Sequence, residues 1–215
     1  MQDILFIDKP KGITSFDVIR RLRKKLGVKK MGHAGTLDPN ATGLLIIGLG
    51  KGTGHLSRYL GLPKTYVMEI LLGIRTDTGD VDGKIIEEVA VFPRPTPSVG
   101  HIRQVLAGMI GSVALPIPPY SALKYKGKPR YVYARKGIAI EPKTRGMEIY
   151  VLRLLGIRKE GERPLLKVEM RCGSGTYARS VAEEIGRRLG FPATLKELRR
   201  TRIGEFNVDR AEKIE

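Results

Sequence analysis

Tryptophan is absent from this chain, and cysteine occurs once, at Cys172. A lone cysteine excludes a disulfide framework and favours a reducing compartment, which we take to be the cytoplasm. Apolar runs are also short, and none approaches the roughly 20 residues that a membrane span needs. The first of them, Ile4–Ile7, is broken by Asp8 and Lys9, so we expect no signal peptide and no membrane association.

Acidic residues are scarce beside basic ones. The chain has 39 Lys and Arg against 22 Asp and Glu, which gives a formal net charge of +17 over 215 residues. The basic residues occur in patches, the densest in the segment 20–25. Such an excess favours a polyanionic partner, with nucleic acid first among them, over a merely solvated basic surface.

Hydrophobic periodicity predicts a mixture of strands and helices without internal repeats or a long linker, and therefore one α+β domain. Ser15 is expected to cap the first helix, and Gly27 to end it. Helices are predicted in FDVIRRLRKKLG, PSVGHIRQVLAGMIG and SGTYARSVAEEIGRRLG, and strands in ILFI, LLIIGLG, KTYVMEILLG, MEIYVLRLLGIRK and PLLKVEMRCG, while ATLKELRRTRIGEF is expected to give a further helix and a strand.

Several familiar sites are excluded. GLGKGTG is no phosphate loop, because Gly52 follows Lys51 where that motif needs Ser or Thr. The three histidines lie far apart and predict no metal site, and no G-x-S-x-G motif indicates a serine hydrolase. We therefore expect no metal and no cofactor, and any chemistry must use Asp, Tyr, Arg or His side chains.

One loop, GHAGTLDPNATG (32–43), contains a single carboxylate, that of Asp38, at a position of restricted backbone. Pro39 restricts Asp38 to an extended backbone, and the glycines allow close approach of a ligand or another chain segment. A catalytic carboxylate and a simple helix cap both fit this pattern. Arg179 lies in the first turn of a predicted helix, where a cation opposes the helix dipole, so it either faces an anion or turns to solvent.

With these residues the sequence resembles the TruB family of tRNA pseudouridine synthases. The loop GHAGTLDPNATGLL is similar to the catalytic motif of that family, and KTYVMEILLGIRTDTGDVDG to its second motif. YSALKYKGKPRYVYARKG resembles part of its RNA-binding insertion, the thumb. CGSGTYARSVAEEIG and LRRTRIGEF are similar to its closing motifs, so the resemblance runs through nearly the whole chain.

The resemblance implies a role for each matching residue. Asp38 would be the essential carboxylate, and Arg179 would pair with it. Tyr66 would stack on the target base and could help proton transfer at carbon 5. The remaining substrate-binding residues would be His33, Asp80, Tyr177 and Leu198.

The resemblance also implies a fold and a reaction. We expect the pseudouridine synthase fold over residues 1–215, with a mixed, mostly antiparallel sheet and a thumb at about 93–145. The reaction would be isomerisation of uridine-55 in the T-arm of tRNA. Separately, we expect a monomer that needs no protein partner. Related bacterial enzymes continue into a PUA-like domain, whereas this chain stops at VDRAEKIE, so a short form is expected.

Flipping a uridine out of a folded RNA costs energy that contacts with the phosphate backbone can offset. The candidates for these contacts are Arg20, Arg23, Lys24, Lys124, Lys126, Lys128 and Arg130. Two alternatives stay open at this point. The chain could be a tRNA-binding folding chaperone, or the catalytic subunit of a guide-RNA-directed complex.

Overall fold

The computed structural model describes residues 3–90 and 96–214, so positions 93–95 of the predicted thumb lie outside the described residues. The helices are α1 (Ser15–Leu26), α2 (Ser57–Leu60), α3 (Val99–Ala107), α4 (Arg130–Arg135) and α5 (Ala178–Leu189). The strands are β1 (Ile4–Lys9), β2 (Met31–Ala34), β3 (Thr42–Leu49), β4 (Lys64–Leu72), β5 (Ile74–Thr76), β6 (Ile85–Glu88), β7 (Gly111–Pro116), β8 (Lys124–Tyr125), β9 (Lys128–Pro129), β10 (Thr144–Glu160), β11 (Arg163–Cys172), β12 (Ala193–Ile203), β13 (Phe206–Asn207) and β14 (Glu212–Lys213). Within the described ranges no helix is long and apolar enough to cross a membrane.

Most of the strands belong to one mixed sheet. Hydrogen-bonded neighbours follow the order β14–β1–β3–β12–β4–β11–β10–β7, with β2 also on β3 and β13 on β12. Strand β3 pairs antiparallel with β1 and β2 and parallel with β12, and β10 pairs antiparallel with β7. Helices accompany this sheet, so the predicted α+β class is confirmed.

The chain divides into two compact units. Unit 1 comprises Met1–Val67, Glu169–Ser174 and Glu197–Glu215, and unit 2 comprises Met68–Val168 and Gly175–Lys196. Strands β4, β11 and β12 contribute residues to both.

In unit 1, α1 packs its apolar face on the sheet. Val18, Ile19 and Leu22 lie in one cluster with Ile7 and Leu45. Burial of each such side chain contributes about 1.5–3 kcal/mol. The neighbouring residues of β3 face another cluster, so both faces of this strand are covered, which explains its unbroken apolar sequence.

The start of α1 corrects one prediction. Thr14, not Ser15, is the N-cap: its hydroxyl accepts from the amide of Asp17 at 3.0 Å, while the Asp17 carboxylate accepts from the Thr14 amide at 2.8 Å. This reciprocal capping box fixes the first turn and leaves the Ser15 side chain for a tertiary contact. Gly27 ends the helix as predicted, with a φ of 69°.

In unit 2, the predicted helix α5 buries one apolar face. Val181 and Ile185 are fully buried, Leu189 is nearly so, and the half-buried Tyr177 is the residue before the helix. Helix α3 contacts β10 and α5, and α5 contacts β7. The predicted strand β4 is also confirmed, and its residues Met68, Ile70 and Leu72 are all fully buried.

Two segments hold secondary structure that was not predicted from the sequence. ATLKELRRTRIGEF forms the strands β12 and β13 and no helix, since the ladders with neighbouring strands outweigh the helix propensity of its Leu, Lys, Glu and Arg residues. The thumb has more regular structure than its sequence indicated. It holds the short hairpin β8–β9 and helix α4, and the rings of Tyr125 and Tyr133 pack edge to face, 5.5 Å apart.

Candidate active site

The Asp38 loop connects β2 to β3 and is fastened to the segment that follows β1. The Ser15 hydroxyl donates to the carbonyl of Leu37 at 3.1 Å and accepts from its amide at 2.9 Å. The amide of Gly12 donates to the carbonyl of Pro39 at 2.9 Å. The loop closes in a turn, with the Ala41 amide donating to the Asp38 carbonyl at 3.0 Å, and no helix begins here. The half-buried Asp38 is thus held from both sides.

Lys9 places a buried positive charge behind this loop. Its side chain is fully buried at the end of β1, and its ammonium donates to three backbone carbonyls, those of Pro10 at 2.9 Å, Ile13 at 2.6 Å and Pro39 at 3.0 Å. Burial lowers the pKa of Lys9 to about 8, although the negative charge of Asp38 opposes the shift. The lysine therefore ties the loop to β1 and sets a cation near Asp38.

Arg200 is a second buried cation, on β12. It is 1% exposed, and its guanidinium donates to the carbonyl of Leu44 at 2.7 Å and to that of Gly35 at 3.0 Å. Its backbone lies against Gly43, where an added Cβ would sit 2.2 Å from the Arg200 carbonyl oxygen. Gly43 also has a φ of 104°, so only glycine fits there without strain. Arg200 thus holds both ends of the Asp38 loop.

Tyr66, the third residue of β4, belongs to the same group. It is half-buried, and burial raises the pKa of its phenol above the ordinary 10.0, while the charge of Arg200 opposes the rise. Asp38 is close enough for its negative charge also to raise the pKa of Tyr66. Unit 1 therefore brings together two of the predicted catalytic residues, Asp38 and Tyr66, around the Arg200 guanidinium.

Two predicted substrate-binding residues also lie in unit 1. His33 is half-buried on β2, and burial lowers the pKa of its imidazole, an effect that the charge of Arg200 reinforces. Its Nδ1 is buried with no hydrogen-bond partner among the described residues. His33 is accordingly neutral at physiological pH. Leu198 is half-buried on β12, two residues before Arg200.

The other predicted site residues lie in unit 2. Arg179 is 7% exposed, and its guanidinium donates to the carbonyls of Thr78 and Tyr120, each at 2.8 Å. Its Nε lies 3.8 Å from the carboxylate of Asp80, which also accepts from the Thr78 hydroxyl at 2.7 Å. Burial raises the pKa of Asp80, against the effects of Thr78 and Arg179. Arg179 therefore faces an anion in unit 2, and its pairing with Asp38 stays a prediction.

The predicted backbone contacts fall into two groups. Exposed basic side chains are available to solvent on α1 and in the thumb, whereas Arg130 is 3% exposed and donates to the carbonyl of Glu141 at 3.2 Å. The burial of Arg130 contradicts its predicted exposure to phosphate and gives it a role in holding the thumb together. The exposed residues are Arg20, Lys24, Lys124, Lys126 and Lys128. Arg23 is half-buried and lies between the two groups in exposure.

Sequence reasoning missed Lys9 and Arg200. Lys9 directly follows the first predicted strand, and Arg200 lies in the segment that was expected to give a helix and a strand. No local pattern shows that these charged side chains are buried. One signal was available for Lys9, which stands between an apolar strand and a proline, at a point where the chain must turn over the strand end.

Solved structures with this architecture identify its class. A chain in the structure of an H/ACA RNP bound to a substrate RNA containing 2'-deoxyuridine matches with a TM-score of 0.67 and 27% identity, over 98% of this chain and 50% of that one. A chain in the crystal structure of a Cbf5-Nop10-Gar1 complex matches with a TM-score of 0.69 and 28% identity, over 98% and 52%. The mixed sheet and its carboxylate loop therefore define a protein of the pseudouridine synthase fold.

Sequence comparison then gives the family. Residues 23–178 match the family model of TruB family pseudouridylate synthases, N-terminal domain, so the chain belongs to the TruB family. A relative from Aromatoleum aromaticum, named tRNA pseudouridine synthase B, is 45% identical over 97% of this chain and 65% of its own length. Relatives of the same name from Desulfotalea psychrophila and Aquifex aeolicus are 43% and 40% identical, over 84% and 73% of their lengths.

The chain is shorter than these proteins. It spans 65% of the length of the Aromatoleum relative and about half of each chain matched in the two solved structures.

Proposed function

We propose that the chain isomerises uridine to pseudouridine at position 55, in the T-arm of tRNA. The observation that carries the proposal is the grouping of Asp38 and Tyr66 around the buried Arg200, with the Asp38 loop also tied to Lys9. The names of the relatives, tRNA pseudouridine synthase B, support the choice of tRNA.

The reaction suits a site built on one carboxylate. The glycosidic carbon–nitrogen bond breaks, the uracil turns, and a carbon–carbon bond forms from its carbon 5, with no net redox change. Asp38 can attack the sugar or the base, or remove a sugar proton, and each step starts from the ionised carboxylate. Lys9 and Arg200 supply fixed positive charge beside it, without the reorganisation that water would need.

Tyr66 suits a stacking role beside Asp38. Its raised pKa keeps the phenol protonated at neutral pH, so the ring enters the reaction as a neutral stacking surface. The hydroxyl is available to assist proton transfer at carbon 5 once the base has turned. Leu198 supplies apolar surface, and a pocket of this kind protects a detached uracil from loss to water.

Three residues of unit 2 keep the roles that the family resemblance implies. Arg179 would pair with Asp38, Tyr177 would line the uracil pocket, and Asp80 would hold Arg179 and contribute a polar wall. Asp80 and Arg179 already lie 3.8 Å apart, which preserves the orientation of the guanidinium. His33, neutral and half-buried, would pack against the RNA loop from which the uridine is extruded.

The test is tritium release from an unmodified tRNA transcript that carries tritium at uracil carbon 5. The chain should release tritium, and Asp38→Asn should reduce the rate by at least about a thousandfold while binding of the transcript persists. Asp209→Asn, an exposed aspartate of unit 1, is the matched control and should act like the unchanged chain. Binding without release by the unchanged chain would refute the proposal and leave the folding chaperone and the guide-directed complex as the alternatives.

The guide-directed alternative has one observation in its favour, namely the H/ACA chains among the matching structures. The curated relatives are more similar, at 40–45% identity against 27–28%. We therefore infer a monomer that acts on bare tRNA in the cytoplasm without a protein partner. Release from bare transcript supports this choice, whereas release only after addition of a guide RNA and partner proteins would overturn it.

A further inference from the structure

Phe16 is an exposed aromatic ring on the basic helix α1. The residue is 53% exposed, although a phenylalanine in the first turn of an amphipathic helix could have been directed to the core. Single exposed apolar side chains are common, so exposure alone assigns no role. Tyr131 in the thumb also has a guanidinium over its ring, that of Arg135, but it lies in unit 2. Phe16 lies in unit 1, which also holds the Asp38 loop.

The guanidinium of Arg23 lies over the Phe16 ring, 5.6 Å from its centroid. The two residues are seven positions apart, which is two helical turns, so they share one face of α1. The Nε of Arg23 is buried and has no hydrogen-bond partner among the described residues. The nearest acid on the helix, Asp17, accepts from Thr14 and forms an ion pair with Arg20. Arg23 is thus held by the ring through a cation–π contact.

The position of Phe16 connects it to the candidate active site within unit 1. The preceding residue, Ser15, makes two hydrogen bonds to Leu37, which is the neighbour of Asp38. The first turn of α1 therefore lies against the carboxylate loop. This turn therefore borders the loop at which the proposed function places the uridine.

The surroundings of the ring favour RNA over an apolar partner. Four exposed basic residues share the helix, and an aromatic ring among basic side chains is typical of surfaces that bind unpaired nucleotides. Paired bases in a duplex present no free face for stacking, so the ring would serve an unpaired base. The four basic residues are Arg20, Arg21, Lys24 and Lys25.

We propose that Phe16, backed by Arg23, is a stacking platform for an unpaired base adjacent to the target uridine. This inference rests on the proposed function, because it assumes that the RNA loop is bound at Asp38. It assigns Phe16 a positioning role: the ring would hold the flanking nucleotide and would not touch the reacting atoms.

The experiment uses the full chain and a T-arm stem-loop in which 2-aminopurine replaces one unpaired loop base at a time. Stacking on Phe16 should quench the fluorescence at one position in the unchanged chain, and Phe16→Leu should remove that quenching. Loss of one base stack should raise both the dissociation constant and KM about tenfold, with a smaller effect on kcat. Phe16→Tyr should restore the quenching and the affinity.

Leu26→Ala is the matched control, since Leu26 is also an exposed apolar residue of α1, 43% exposed and outside the stack. It should leave affinity and fluorescence unchanged. A Phe16→Leu variant that binds the stem-loop like the unchanged chain would overturn the inference, as would an equal loss of affinity for a blunt duplex. Tritium release by the unchanged chain tests the proposed function separately, so the two failures are distinguishable.

Discussion

The ammonium of Lys9 donates to the carbonyl of Pro39 at 3.0 Å and so ties the end of β1 to the residue after Asp38. Burying a lysine without satisfying its donors is costly, and here three carbonyls accept from Nζ. The charge is therefore retained inside unit 1, at the loop that carries Asp38. This arrangement leads to the first of four predictions.

Lys9→Met should change how stability depends on pH. The pKa of Lys9 falls from 10.5 in the unfolded chain to about 8 in the folded one, mainly through burial. Between these values the unfolded state binds more protons, so the contribution of Lys9 to the free energy of unfolding rises with pH. Urea unfolding across this interval should show the unchanged chain gaining stability relative to Lys9→Met, by up to about 3 kcal/mol.

Lys64 has a similarly lowered pKa, to about 8, but it is present in both proteins and cancels in the difference. Lys11→Met, at an exposed lysine paired with Glu197, is the control and should show no such slope. A flat difference between the unchanged chain and Lys9→Met would mean that the buried lysine titrates at its ordinary pKa.

Gly43→Ala should destabilise the chain by at least about 3 kcal/mol, because strain at a positive φ adds to an overlap with backbone. The new Cβ would lie 2.2 Å from the carbonyl oxygen of Arg200, which cannot move without breaking the β3–β12 ladder. Thermal unfolding measures the loss. The matched control is Gly12→Ala, since Gly12 has a φ of 87° but no heavy atom within 4 Å of the added Cβ. Equal losses in the two variants would show that only backbone strain matters.

Tyr66→Phe separates stacking from proton transfer. If the hydroxyl assists proton transfer at carbon 5, the variant should bind tRNA normally and lose roughly 10²–10⁴-fold in the rate of tritium release. Tyr66→Leu should lose RNA binding as well, because it removes the ring. Tyr59→Phe, in a ring that packs on Phe206, controls for loss of a phenol elsewhere in unit 1. A fully active Tyr66→Phe would limit Tyr66 to stacking.

RNA binding should weaken steeply with salt, as expected for a chain of net charge +17. Lys24→Ala removes an exposed cation of α1 and should reduce the slope of log affinity against log salt by about 0.7–0.9, the value for one phosphate contact. Lys159→Ala, at an exposed lysine of β10, is the control for a general change of charge. A slope unaffected by Lys24→Ala would remove α1 from the RNA-binding surface.

Much of the fold could be predicted because its signals are local. The apolar run of β3, the periodic stripe of α5 and the glycine that ends α1 each reflect the geometry of a few neighbouring residues. The segment 193–203 was mispredicted because its composition favours a helix, while hydrogen-bonding partners distant in sequence make it a strand. The capping of α1 was misplaced by one residue for a related reason, since Ser15 is engaged by Leu37, 22 positions away.

The sequence by itself determined the excess of positive charge, the single rigid carboxylate at Asp38 and the motifs that resemble one enzyme family. Only the tertiary structure decided which cations are buried. Arg200 reaches Leu44 and Gly35 across 156 and 165 positions, Lys9 reaches Pro39 across 30, and Arg130 turns inward instead of towards phosphate. Whether a charged side chain is solvated or enclosed depends on which distant segments surround it, and no local pattern carries that information.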